Sequence, residues 1–221
     1  MQNSKIECFL DFHEAIRPFI KGAFIFRGVT DGTHHYLIPR IGRLRFKTGD
    51  ISSNEKIILR LFKEQSLPYL DFKPSNEWEW LALAQHYGLP TRLLDWTRNP
   101  LVALYFAVEK AHEGDSAVYA YRVSKRVNTS KEPNPFNIEK VGIFVPSHIT
   151  RRIIAQGGLF TIHPNPEITF NPPNIKKITI ARKARKQIKR DLWQYGIHRA
   201  SLFPDLDALC LHIEWLRTDK H

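Results

Sequence analysis

The chain has 221 residues, 43% of them hydrophobic, and a net charge of +11. That is enough for one full core and basic enough to suggest a polyanionic partner, nucleic acid first. Two cysteines, Cys8 and Cys210, exclude a disulfide scaffold and a cysteine-rich zinc site and fit a reducing compartment. No apolar run approaches the ~18 residues of a membrane span, and "MQNSKIECFLDFHEAI" sets acids inside its apolar periodicity, unlike a secretory signal. A soluble, cytoplasmic protein without membrane contact is expected.

In chain order, "KGAFIFRGV" predicts a buried strand in which Ala23, Ile25 and Arg27 share one face, Phe24 and Phe26 the other, and Gly28 breaks it. "SSNEKIILRLFKEQ" predicts a helix, with Ser52 and Glu55 spaced as a capping box before Ile58, Leu61 and Phe62. "NEWEWLALAQHYG" predicts another, capped by Asn76 and Glu79, packed through Trp78, Leu81 and Ala82 and stopped at Gly88. After Pro90, "TRLLDW" reads as a strand with Thr91, Leu93 and Asp95 on one side and Arg92, Leu94 and Trp96 on the other. Asn99 and Pro100 then start a helix whose packed side carries Leu101, Leu104, Tyr105, Val108 and Ala111.

"SAVYAYRV" and "VGIFVP" come next as strands around a surface loop, "NTSKEPNPFN". A short helix around "SHITRRIIAQ" leads through Gly157 and Gly158 into the strand "LFTIH". The segment from 176 to 195 is expected to form a strand, "KITIA", and a helix with Ala184, Ile188, Leu192 and Tyr195 inward; "FPDLDALCLHIEWL" closes the chain as a helix started by Pro204. This irregular alternation favours an α+β fold in one domain over 1–221, with a core of about 24–209 and no internal repeat or linker.

Most common catalytic signatures are missing: there is no GxGxxG after a strand, no GxxxxGK[ST], no HExxH and no GxSxG. The ten histidines are scattered, and His34 and His35 are adjacent and would diverge, so no metal site is expected. Three segments instead put polar groups at the ends of apolar strands. Arg27 offers a rigid donor fork for carboxylate or phosphate, or for an internal acid such as Asp95. Asp95, Trp96 and Thr97 lie between a strand end and a helix start, where they either serve a ligand or only cap the helix. Gln156, Gly157, Gly158, Leu159 and Phe160 allow close backbone approach, or merely stop a helix. Asp95 is expected to face a cleft shared with Arg27, and Arg92 to anchor the structure beneath it. His86 suits a helix C-terminus as well as it suits a base.

"KKITIARKARKQIKR", Lys176 to Arg190, holds eight basic residues and no acid. It reads either as a solvated helix face or as a phosphate-binding surface through Lys183, Arg185, Lys186, Lys189 and Arg190, with RNA ahead of DNA.

"FRG" at 26–28, "QHYGLPTRLLDWTRNPLVALYFAVE" at 85–109, "RRIIAQGGLF" at 151–160 and "SLFPDLDAL" at 201–209 together resemble the FRG domain family of bacterial and phage proteins. That resemblance implies a split, mixed β-sheet flanked by helices, similar to ADP-ribosyltransferases, and NAD as substrate. It also implies a toxin of phage-defence or toxin–antitoxin systems, restrained by a neutralising antitoxin or chaperone. By the same resemblance Arg27 holds the NAD ribose and phosphates with Gly28, Thr91 and Phe160 nearby, and Trp96 or Tyr105 walls the nicotinamide. Cleavage of a glycosidic bond through an oxocarbenium-like state needs negative charge beside the ribose. The later strand that carries a glutamate in such transferases here offers Gln156, so that either Asp95 supplies the charge beside Arg27, Gln156 and Thr97, or the acceptor is unusually nucleophilic, or the activity differs. The alternatives are an NAD glycohydrolase, a metal-independent nuclease using His86, Arg92 and Asp95, and a non-catalytic nucleic-acid-binding module.

Overall fold

The structure is a computed structural model that describes residues 5–70, 72–123, 125–146 and 150–218. Its elements are α1 (Phe9–Ile20), β1 (Phe24–Val29), α2 (Ile51–Ser66), α3 (Glu77–His86), β2 (Leu93–Thr97), α4 (Pro100–Val108) and β3 (Ser116–Arg122). They continue with β4 (Gly142–Phe144), α5 (Arg151–Ala155), β5 (Gly158–Ile162), β6 (Ile175–Ile180), α6 (Arg185–Gln194), α7 (Arg199–Leu202) and α8 (Leu206–Arg217). Part of the expected "SHITRRIIAQ" helix, residues 147–149, lies outside the described residues; Thr150 caps α5 by accepting from the Ile153 amide.

The fold is α+β, built on one six-stranded sheet in the order β4-β5-β2-β1-β3-β6. The mixed, split sheet is corrected: every strand pair in this sheet is antiparallel. The reason lies in the crossover. The β2–α4–β3 connection joins two strands that run the same way, but β1 lies between them, so they never pair. The ladders β1–β3 and β2–β5 are long, whereas β1 and β2 meet at a single register position, Phe26↔Thr97.

Register sorts the side chains into two faces. On one, Phe26, Val118, Ala120 and Ile180 pack against α1, α4 and α6, while Leu93, Phe144, Phe160 and Ile162 pack against α2 and α3. Helices therefore cover this face in two apolar halves. On the other, Ile25, Leu94, Trp96, Tyr121 and Leu159 are closed over by loop residues Leu37 and Phe170. Gly28 is required by packing: a Cβ there would sit 1.8 Å from the Ala103 carbonyl oxygen of α4. The strand thus touches the helix backbone directly.

Two expectations about α2 change. Asp50, not Ser52, caps it by accepting from the Ser53 amide, and Glu55 is not part of a capping box. Glu55 turns inward, where one carboxylate oxygen accepts from the Arg92 amide at 2.7 Å and the other from Arg92 Nε at 2.8 Å. Both side chains are buried, and the Arg92 guanidinium lies 4.7 Å from the Phe136 ring. Arg92 is the expected anchor: it fastens the start of β2 to α2. Replacing Glu55 with Leu leaves a buried guanidinium unpaired and should cost about 3–5 kcal/mol of unfolding free energy. The double variant Glu55→Leu/Arg92→Leu should recover much of that loss in denaturant titrations; equal loss in both would contradict the pairing.

Candidate functional site

The weak junction between β1 and β2 makes room for a side chain. Arg27 projects from the loop-covered face of β1, and its Nη1 donates to the Asp95 carbonyl oxygen at 2.6 Å. The guanidinium so takes an acceptor that further pairing with β1 would otherwise satisfy. The same Nη1 is 3.6 Å from the Asp95 carboxylate, too long for a good hydrogen bond. The carboxylate is held instead by Gln85, whose amide donates at 3.0 Å. Gln85 in turn accepts from the Thr91 hydroxyl at 2.6 Å. The side chain of Asp95 is 59% exposed and that of Arg27 15%. Asp95 opens to solvent between the two apolar halves of the helix-covered face, and Arg27 approaches it from beneath.

The surroundings of Arg27 are basic and incompletely satisfied. Arg27 Nε and His35 Nε2 are buried without a partner. Burial first, then the charges of Arg27 and Arg43, lower the His35 pKa to about 4. Burial and the Arg27 charge lower that of His163 to about 3, and its ring contacts the Thr161 hydroxyl at 2.8 Å. Burial, followed by the charges of Arg27 and Arg40, also shifts Arg43 down. Arg40 is tied to the Gly88 carbonyl, placing the 40–43 turn beside the end of α3. Gly88 has φ +83°, a left-handed stop that frees its carbonyl for that contact. Arg27, Arg43 and the uncharged His35 thus lie close to one another on the loop-covered face, while the Asp95 carboxylate opens on the other, an arrangement in which Arg27 and Arg43 suit a phosphate.

Of the residues expected in the site, Asp95 does not face a cleft on Arg27's side of the sheet: Arg27 reaches its carbonyl from the opposite face, and Thr91 reaches its carboxylate through Gln85. The others do not join them. Gly28 is pressed against α4, and Trp96 is buried, its indole N–H donating to Thr161 at 2.9 Å. Tyr105 lies with the opposite, helix-covered face, where burial and the neighbouring charge of Glu109 raise its pKa. Phe160 is core, stacked on Phe144. Thr97 donates to the Gln156 carbonyl at 2.6 Å and accepts from the Asn99 amide at 3.0 Å, so it serves the β2–α4 turn. Gln156 itself donates to the Leu202 carbonyl at 3.1 Å. The amide at the carboxylate is therefore Gln85, not Gln156. His86 is shifted down by burial and then by Arg152, with Asp95 opposing.

The basic helix is also more structural than its composition suggests. Arg185 is buried and donates to the His112 carbonyl at 2.9 Å and to that of Lys110, closing the C-terminal end of α4. Lys189 is buried, donating to the Glu109 carbonyl at 2.9 Å. Lys183 is exposed and pairs with Glu7 at 2.8 Å, Arg190 is exposed and Lys186 is half-buried. An amphipathic period does not distinguish an outward cation from one that caps a neighbouring helix.

Sequence reading missed Gln85, His35, Arg40 and Arg43. Gln85 had a signal: it continues the buried stripe of Trp78, Leu81 and Ala82 at helical spacing, where a polar side chain needs a partner. The other three lie outside any strand or long helix and had none.

Residues 22–116 match the FRG domain family, a segment that contains Arg27 and the whole 85–109 block. The segments at 151–160 and 201–209 fall outside the match. No curated protein and no solved structure matches the chain.

Half-buried His35 and buried His163 set a pH dependence. Unfolded, they take up protons near pH 6.5, but folded only near 4 and 3. Between these values the unfolded chain binds more protons, so stability falls as pH drops from about 6.5 toward 4. His163→Gln should flatten that fall in thermal melts from pH 7 to 4.5; an unchanged slope would show that His163 does not contribute.

Proposed function

From the FRG domain match and this arginine–carboxylate pair, we propose that the protein is an NAD-dependent ADP-ribosyltransferase whose acceptor is nucleic acid, RNA ahead of DNA. The observation that carries this reading is Arg27, whose guanidinium reaches the Asp95 carbonyl through the gap beside the solvent-open Asp95 carboxylate and keeps Nε without a partner. Buried polar atoms without partners cost about 1–3 kcal/mol each, and a bound ligand relieves that cost. NAD would supply an activated glycosidic bond and a pyrophosphate.

In this reading Arg27 and Arg43 hold the pyrophosphate through charge-assisted hydrogen bonds, and His35, kept uncharged, can accept or donate a hydrogen bond without competing for it. Asp95 faces the positive charge that grows on the ribose as the bond breaks. Gln85, itself fixed by Thr91, orients that carboxylate. The Asp95 side chain is 59% exposed and so open to an acceptor from solvent. The net charge of +11 and the exposed cations Lys183 and Arg190 favour a polyanionic acceptor. A toxin role, with a neutralising antitoxin or chaperone in the host, belongs to the same proposal.

Incubation of the pure protein with labelled NAD, with and without RNA, tests it. Label should enter RNA, and Arg27→Gln should reduce transfer at least 100-fold while retaining the far-ultraviolet circular dichroism of the parent. Asp95→Asn should reduce turnover more than NAD affinity. Free ADP-ribose alone would mean hydrolysis, RNA cleavage without NAD a nuclease, and no reaction at all would end the transferase reading.

A further inference from the structure

On the helix-covered side, a track of charges leads away from Asp95. Arg152, shifted down by burial with the charge of Asp95 opposing, stacks on Phe203, its guanidinium 4.4 Å from the ring centroid. Arg199 lies over the same ring at 5.2 Å and donates to Glu109 at 2.5 Å. Beyond Arg199, α4, α6 and α8 enclose a cavity of about 420 Å³. That volume lies within the ~300–1,000 Å³ of small-molecule sites. Of the residues expected to hold NAD only Tyr105 lines it, and the structure sets Tyr105 apart from Arg27 and Asp95.

Its walls combine aromatic faces with buried charge. His198 and His212 stack at 4.1 Å between centroids, and His212 stacks on Trp215 at 5.8 Å. Trp193, 40% exposed, meets Trp215 edge-on at 6.2 Å, so its indole lines the mouth without being covered. Burial shifts both histidines down, and each is further from carrying charge than a free imidazole. At the floor, Lys189 Nζ sits 5.3 Å from the Trp215 ring centroid, and Arg199 Nε is buried with no partner. Glu109, with its carboxylate between Tyr105 and Arg199, adds an acceptor.

We propose that this cavity is a binding site for a purine ring, stacked on Trp193 and hydrogen-bonded by Arg199, Lys189 and Glu109. Aromatic faces suit a flat π-system, worth about 1–3 kcal/mol per stacked base. Cationic donors match the ring nitrogens and carbonyl oxygen, and the carboxylate matches an exocyclic amino group. An aliphatic ligand would use neither. This inference goes beyond the NAD reading and does not depend on it, because the two sites share no residue.

Isothermal titration of the intact chain with adenosine, AMP, GMP and a six-nucleotide RNA tests the site. At least one purine probe should bind saturably. Trp193→Ala and Leu211→Trp, both at exposed lining positions and so compatible with folding, should each weaken binding at least tenfold, whereas Arg27→Gln should leave it unchanged. Tighter binding of the RNA than of AMP identifies a base within a strand as the ligand, and equal or weaker binding identifies a free nucleotide; either supports the site. The proposal fails if no probe binds, if binding survives both lining variants, or if Arg27→Gln abolishes it.

Discussion

The site depends on a guanidinium standing in a gap between strands. β1 and β2 pair at one position only, and the Asp95 carbonyl beyond it bonds to Arg27. A backbone carbonyl satisfied by a side chain rather than a strand leaves the two strands free to diverge. It also leaves the arginine with donor capacity that the protein does not fill, since Nε remains without a partner. Had Arg27 met the Asp95 carboxylate in a bidentate pair, its charge would have been spent internally. The 3.6 Å separation and the Gln85 bond keep the two charges adjacent but separately held.

The architecture explains why this gap persists. Each half of the sheet has its own helical cover and apolar cluster, so neither half needs the β1–β2 ladder to bury its side chains. The Glu55–Arg92 pair fixes the start of β2 from below, while Gly28 locks β1 against α4. Strands held firmly from both sides can tolerate an incomplete junction between them, and functional sites commonly occupy such interruptions of regular pairing.

Much of this was legible in the sequence. The alternation in "KGAFIFRGV" placed Arg27 correctly on its strand, because side chains alternate strictly across a pleat, whereas Arg92 precedes β2 and turns to α2 instead of following the face of Leu94 and Trp96. Asn99 and Pro100 marked the start of α4 through capping chemistry that needs no tertiary context. What failed were inferences that require a third dimension. Trp96 and Phe160 are aromatic residues near the site in sequence, but their strand faces direct them into the core. Arg185 and Lys189 lie within a basic run, yet their partners are carbonyls about 75–80 positions earlier. Thr97 and Gln156 bond to each other and to a helix end rather than to a ligand. Arg40 and Arg43 join the site only because a turn with no periodic pattern folds back against α3. Charge and aromaticity were visible, but their direction was not.

The central claim is that the unfilled donor of Arg27 receives a pyrophosphate. The most direct measurement tracks the Nε–H resonance of Arg27, assigned through Arg27→Lys, by nitrogen-15 NMR during titration with ADP-ribose. A saturable downfield proton shift of that signal, shared by His35 and absent with ribose alone, is the expected result. A resonance that does not move while ADP-ribose binds elsewhere would contradict it.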